Sequence, residues 1–327
     1  MADRSDDSFL AVNYALRPNK VIARRILFDT LRRLSDKLDL RNAAYIGMGS
    51  IWFVDFAMAH RTLGITKMTS IEANPVGYRR AVYNAPFKCV AVKRGYTEDV
   101  LPTLPLESRS SVIWLDYDTP VDGPLLEDAN GTIERCKEGS VVIFTVNASA
   151  KDLAKRINPK SPQKVRPSDI QRYLTQKLGD YAPTSLSKSD IEEENFPKVA
   201  CGIIEAVVEG VLRRSGREQE FVKLFDFVYR DGPPMATVGG LLASSEIAAE
   251  VSKAMEAVGW PGRIQNTIRV PHLTLRERLS LDRMLPLSRA PSVRRVKKEA
   301  GFPLLAEQIR AYYEYYSHYP SFTEFQP

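Results

Sequence analysis

No stretch of this chain approaches the roughly 18 consecutive apolar residues that a membrane helix needs, so no spanning segment is expected. Cysteine is scarce. Cys89, Cys136 and Cys201 lie far apart and form no CxxC pair, which argues against a disulfide framework and a cysteine zinc site. They read as buried or inert thiols. Histidine is equally scarce: His60, His272 and His318 have no partner at ligand spacing and read as structural. There is no internal repeat and no low-complexity tract. The first eight residues are polar and acidic, unlike a secretory leader or an Arg-rich transit peptide, so a cytoplasmic protein is expected. Residues 1–10 read as disordered.

What is present is ordinary for a folded chain. Apolar residues make up 44% and charged residues 26% of 327 positions, enough for a sizeable core in one large α/β domain with an appendage, or in two modest domains. The net charge of +6 suits nucleic acid or another anionic partner, although an excess this small also occurs without one.

Periodicity organises the chain. Residues 21–38 read as an amphipathic helix, with Ile22, Ile26, Leu31 and Leu34 on one side. Short apolar runs at 43–46, 68–71, 89–92, 111–115 and 140–146 then alternate with helical stretches at 51–63, 76–83 and 125–136. That rhythm predicts a parallel sheet covered by helices on both faces. Residues 151–197 break it with Pro159, Pro162, Pro167 and Pro183, and read as an inserted cap: a flexible stretch, a helix near 168–178, then a loop. A helix over 197–214 follows. The runs at 221–229 and 236–242 flank Asp231-Gly232-Pro233-Pro234, whose turn chemistry predicts an antiparallel hairpin. Residues 245–327 read as a helical, basic C-terminal region with helices at 245–258, 273–285 and 304–316.

The chemistry gathers at the predicted strand ends. After the first strand comes Gly47-Met48-Gly49-Ser50, where small residues let the backbone approach a ligand at the next helix. A dinucleotide fingerprint would carry a third glycine where Trp52 stands, which disfavours a pyrophosphate cofactor. Glu72 closes the second strand, about 20 residues on, where an acid meets ribose hydroxyls. Arg94-Gly95-Tyr96-Thr97 follows the third strand, and Asp116-Tyr117-Asp118 ends the fourth. Each signal alone is weak; a lone GxG is usually only a turn. Their order and spacing carry the reading.

Taken together, the parallel series, closing hairpin and strand-end residues resemble the class I S-adenosylmethionine-dependent methyltransferases. The runs Val12-Asn13-Tyr14-Ala15-Leu16-Arg17-Pro18-Asn19-Lys20, Ala23-Arg24-Arg25 and residues 45–56, with Leu115-Asp116-Tyr117-Asp118, resemble more narrowly a bacterial O-methyltransferase family without an assigned acceptor. The resemblance implies a Rossmann-like, seven-stranded, mostly parallel sheet over residues 1–244, with a cap inserted near 151–197. It implies S-adenosylmethionine as cofactor, held by Gly47, Gly49, Ser50, Glu72, Tyr96, Thr97 and Asp116. Tyr96 stands where the family's adenine segment usually has an acid, which puts that contact in doubt.

For the methyl transfer itself, Asp116 and Asp118 are the candidate catalytic carboxylates; the same acids with Asn147 form a candidate Mg²⁺ set, and the alternative is that Asp118 or Asp122 only shapes a turn before Pro120. No metal is expected on balance. Asp55, on an apolar helix, reads as one half of a structural pair or as a contact to the donor's amino group. Tyr14, Arg17, Lys20 and Arg24 form a candidate substrate site, for an anionic acceptor or the donor's carboxylate; the alternative is a solvated helix start. Cytosine C5 methylation is disfavoured because no cysteine follows a proline, and amino methylation of bases because Asp-Tyr-Asp-Thr-Pro-Val replaces the usual Asn/Asp-Pro-Pro-aromatic run. Arg289, Arg294, Arg295, Lys297 and Lys298 are the candidate phosphate contacts, and Phe302, Tyr312, Tyr313, Tyr315 and Tyr316 either stack bases or pack in a core or a homodimer interface. Three functions stay open: an enzyme methylating an unidentified acceptor, with O-methylation favoured; a nucleic-acid methyltransferase using the basic tail; and a non-catalytic subunit acting through partners.

Overall fold

The computed structural model describes residues 17–257, 266–285 and 292–320. Helix α1 (Pro18–Leu34) precedes strand β1 (Ala44–Gly47); α2 (Val54–Leu63) leads to β2 (Lys67–Glu72), α3 (Pro75–Asn84) to β3 (Val90–Arg94), and the single turn α4 (Thr97–Val100) to β4 (Ser111–Pro120). Then come α5 (Gly123–Ile133), β5 (Ser140–Asn147), α6 (Ala150–Ile157), α7 (Pro167–Leu178), α8 (Phe196–Arg214), β6 (Glu220–Arg230) and β7 (Pro234–Ala243). The remainder is α9 (Ser245–Ala257), β8 (Asn266–Ile268), α10 (Leu275–Asp282), α11 (Val293–Ala300) and α12 (Ala306–Tyr315).

The sheet order is β3-β2-β1-β4-β5-β7-β6-β8. Strands β1 to β5 are parallel, and β7 runs antiparallel between β5 and β6. The expected sheet with its closing hairpin is present, and β8 adds an eighth strand, parallel to β6, from a region read as helical throughout. Three residues, two of them polar, carry too little periodicity to be seen in sequence.

Alternation along the central strands splits the core in two. Tyr45, Trp114 and Ile143 face α1, α2 and α9; Ile46, Ile113, Leu115 and Phe144 face α5 and α8. The middle of the sheet is therefore buried on both sides, which is why β5 and β7 are buried throughout and mostly apolar. The C-terminal helices add Leu281, Val296, Ile309, Tyr312 and Tyr313 to the α1 side. Arg25 ties them to α1 through the carbonyls of His318 (3.1 Å) and Tyr319 (3.0 Å).

Two expectations need correction. The helix expected from residue 51 begins at Val54, because Phe53 adopts a left-handed backbone with φ of 48°. A non-glycine residue there costs roughly 1–2 kcal/mol, offset by burial of its ring edge-on against Phe56 at 5.3 Å. The stretch expected to be flexible after residue 150 is helical: Ser149 caps α6 by accepting from the Asp152 amide (3.2 Å), and Leu153 is fully buried. Its prolines fall after α6, and Pro167 occupies the first turn of α7, where its missing N–H costs nothing.

Candidate functional site

The parallel strands end along one edge, and the first three deliver a glycine turn, an acid and a tyrosine there. Gly47 ends β1 with its α-carbon facing the Trp114 carbonyl, 3.3 Å from where a side chain would begin. Gly49 is tighter: a Cβ would fall 2.0 Å from Ser70 Oγ. That hydroxyl is buried and has no hydrogen-bond partner among the described residues. Ser50 turns its hydroxyl back onto the Trp52 amide (3.3 Å).

Glu72 closes β2, half-buried. Its Oε1 accepts from the Asn74 amide at 3.0 Å. Its carboxyl carbon lies 2.9 Å from where a Cβ of Gly77 would stand, in the first turn of α3. Asn74 caps that turn, accepting from Val76 (2.7 Å) and Gly77 (2.9 Å). The local sequence Glu-Ala-Asn-Pro-Val-Gly thus starts a helix and leaves space for an acid beside it. Tyr96 follows β3 and is exposed. Thr97 points elsewhere: its hydroxyl donates to Asp128 of α5 at 2.5 Å, as does Tyr117. Burial raises the Asp128 carboxyl to about 6, against the pull of those two donors.

Strand β4 loses register with β5 between Asp116 and Pro120, so Tyr117, Asp118 and Thr119 bulge at the strand end. Asp118 is exposed there; Asp116 is turned towards α1. Lys20, buried in the first turn of α1, makes an ion pair with Asp116 Oδ2. Burial pushes the Lys20 ammonium below its usual range; Asp116 opposes this, while Arg24 and Arg17 add to it. Arg24 is buried beside them, and Arg17 is half-exposed at the helix cap. The structure therefore brings Lys20, Arg24 and Asp116 together; Tyr14 lies outside the described residues.

Other candidates are placed apart. Asn147 turns its carbonyl to the Ser149 amide (2.9 Å) and its own amide to Asp152 (3.1 Å). Asp122 is buried under the cap, paired with Arg156 at 2.8 Å. Asp55 accepts from the Tyr45 hydroxyl at 2.7 Å. Arg294, Arg295, Lys297 and Lys298 are exposed on α11, with Arg295 bonded to Glu299 (2.8 Å); Arg289 lies outside the described residues. Tyr312, Tyr313 and Tyr315 are buried, and Tyr312 donates to Asp282 (2.5 Å), so packing rather than base stacking occupies them. Sequence reasoning gave Asn19, Ser70, Gly77 and Asp231 no site role: Asn19 and Asp231 were read only as part of a family run and of a turn, and each of the four acts on a residue distant in sequence or hidden by a turn.

The strand order, the glycine turn after β1 and the acid closing β2 define a class I methyltransferase fold. Residues 12–327 match the family described as "Putative O-methyltransferase", and the chain belongs to that family. No curated protein matches it. Among solved structures it is similar to Trm1 from Pyrococcus horikoshii, in complex with S-adenosyl-L-methionine, at 11% identity, 71% coverage of this chain, 57% of that one and a TM-score of 0.43. An O-methyltransferase from Bacillus cereus in complex with SAH gives 12%, 74%, 92% and 0.39, and M. jannaschii TYW2 in complex with AdoMet gives 11%, 65%, 76% and 0.33, in the same order. The chain spans little more than half of the Pyrococcus protein. Among the described residues no helix is long and apolar enough to cross a membrane.

Proposed function

We propose that the protein transfers a methyl group from S-adenosylmethionine to an acceptor hydroxyl. The observation that carries the donor assignment is the pairing of two glycines with one acid. Gly49 lets the turn after β1 close onto Ser70, whose buried hydroxyl has no partner among the described residues, and Gly77 leaves room for the Glu72 carboxylate at the end of the next strand. A side chain at either glycine would collide with Ser70 or with Glu72, so the two glycines let the turn and the first turn of α3 pack closely, and Glu72 stands at the strand end where the ribose hydroxyls of an adenosyl group would donate to it.

When bound, S-adenosylmethionine supplies an electrophilic methyl carbon on a sulfonium. The chain's own residues then have three tasks. The glycine turn and Glu72 hold the adenosyl end. Asp116, at the bulged end of β4, offers a carboxylate to the donor's amino group or to the acceptor proton, and Lys20 fixes its orientation. Arg24 and Lys20, both buried, supply positive charge for a carboxylate or an anionic acceptor. Hydroxyl as acceptor follows the family description.

Titration calorimetry with S-adenosylmethionine and S-adenosylhomocysteine tests the donor. Wild type is expected to bind both, and Glu72→Ala neither. A wild-type chain that binds neither would leave only the non-catalytic reading. Incubating cell extract with labelled donor and screening for mass shifts then identifies the acceptor. One observation supports a second reading, a nucleic-acid acceptor: α11 exposes four cations and buries only Val296 and Ala300. Under that reading RNA or DNA binds and weakens with salt, and neutralising Arg294, Arg295, Lys297 and Lys298 abolishes binding.

A further inference from the structure

Lys20, whose side chain pairs with Asp116, has its backbone amide bonded by a residue 211 positions further along the chain. Helix α1 starts without local help. Its cap residue, Arg17, offers no side-chain acceptor, and Pro18 has no N–H to satisfy. The next two amides, of Asn19 and Lys20, would be left without acceptors inside a buried first turn. Asp231, in the turn between β6 and β7, takes both. Its Oδ1 accepts from the Asn19 amide (3.1 Å) and from Asn19 Nδ2 (2.8 Å), and its Oδ2 accepts from the Lys20 amide (2.8 Å).

Asn19 completes the joint. Its Nδ2 also donates to the Arg230 carbonyl (2.9 Å), and its Oδ1 accepts from the Val270 amide (2.9 Å), just after β8. Three segments remote in sequence therefore meet at one amide and one carboxylate. The carboxylate also stands at the positive end of a 17-residue helix, where negative charge is favoured. The backbone of Lys20 is consequently fixed to the hairpin, and its side chain runs from that anchor to Asp116.

We propose that Asp231 is a positioning residue for the methyl-transfer site: by bonding the Lys20 amide it sets where the Lys20 ammonium meets Asp116, and Asn19 extends this control to the segment after β8. The proposal rests on the reading of Lys20 and Asp116 as part of the donor site. An ordinary helix cap would stabilise the fold without acting through Lys20, and a double-mutant cycle separates the two.

The cycle uses the full chain, Asp231→Ala and Lys20→Met singly and together, with S-adenosylhomocysteine affinity by calorimetry and melting temperature as readouts. In the wild-type background Asp231→Ala is expected to weaken binding about tenfold; in the Lys20→Met background the same change should shift affinity less than about twofold, while the fall in melting temperature is alike in both. Equal loss of affinity in both backgrounds, or a lowered melting temperature with unchanged affinity, would overturn the proposal and leave a cap. Should Asp231→Ala fail to fold, Asp231→Asn replaces it, since one oxygen and one amino group cannot accept from both amides, and the same two criteria apply. A wild-type chain that does not bind S-adenosylhomocysteine defeats the donor reading itself, whereas binding with additive losses defeats only the role given to Asp231.

Discussion

The hydroxyl of Tyr45 donates to Asp55 Oδ2 across 2.7 Å, joining the first sheet strand to the helix that follows the glycine turn. Tyr45 is fully buried, and burial together with the neighbouring carboxylate holds its phenol well above the usual range. Of the two roles open to Asp55 in sequence, the structural pair is the one the geometry displays. Asp55→Ala would strand a buried hydroxyl and is expected to destabilise the fold by about 1–3 kcal/mol in chemical denaturation. Asp55→Asn, which keeps an acceptor, should lose less and bind S-adenosylhomocysteine as wild type does. A selective loss of binding in Asp55→Asn would instead assign Asp55 to the donor.

The glycine turn makes a steric prediction. A methyl group at position 49 would overlap Ser70 Oγ, so Gly49→Ala is expected to destabilise by about 1–3 kcal/mol, read from the denaturation midpoint. Ser70→Gly removes the obstructing atoms. The double variant should therefore recover part of the loss, and an unchanged loss would refute the overlap as its cause.

Asp128 gives a pH signature. Its carboxyl is raised from 3.8 to about 6 in the folded chain, chiefly by burial. The folded state therefore holds the proton more tightly than the unfolded state. Stability contributed by the protonated form is present below about pH 4 and is lost as pH rises to about 6, a fall of about 3 kcal/mol. Asp128→Asn keeps an oxygen for Thr97 and Tyr117 but cannot ionise. Its stability relative to wild type should rise between pH 4 and 6 and level off above. A parallel pair of pH profiles would rule out this role.

The cap is anchored by a buried charge. Asp122 is 3% exposed at its side chain and pairs with Arg156 of α6 at 2.8 Å, with the Tyr173 hydroxyl of α7 at 3.4 Å. Arg156→Met leaves that carboxylate buried without its cation and should cost about 3–5 kcal/mol. Asp122→Asn with Arg156→Met should recover much of it. Limited proteolysis between residues 151 and 195 is the second readout, with faster cleavage expected in Arg156→Met alone.

Much of the fold was legible because period and composition report it directly. Strands β1, β4 and β5 are apolar runs with both faces buried over most of their length, and the Arg-Asp-Gly-Pro-Pro turn marks the β6–β7 hairpin. Strand β8 was not legible, since it is made by pairing with β6 and has no pattern of its own. Helix α6 was hidden by the prolines that follow it. At the site, Gly49 and Glu72 could be named from spacing along a strand–turn–helix unit. Thr97 could not be told from a ligand contact, because its partner Asp128 lies on another helix.

By itself, then, the amino-acid sequence determined the order of strands and helices, the glycine turn and the acid at the next strand end, because those follow from neighbours a few residues apart. Only the tertiary structure decided which charges face one another. Lys20 reaches Asp116, Asp231 holds Asn19, and Arg156 neutralises Asp122 because packing against the sheet brings side chains from remote segments within hydrogen-bond distance. Buried charges and amides must find partners wherever the fold supplies them, and no local pattern records where that is.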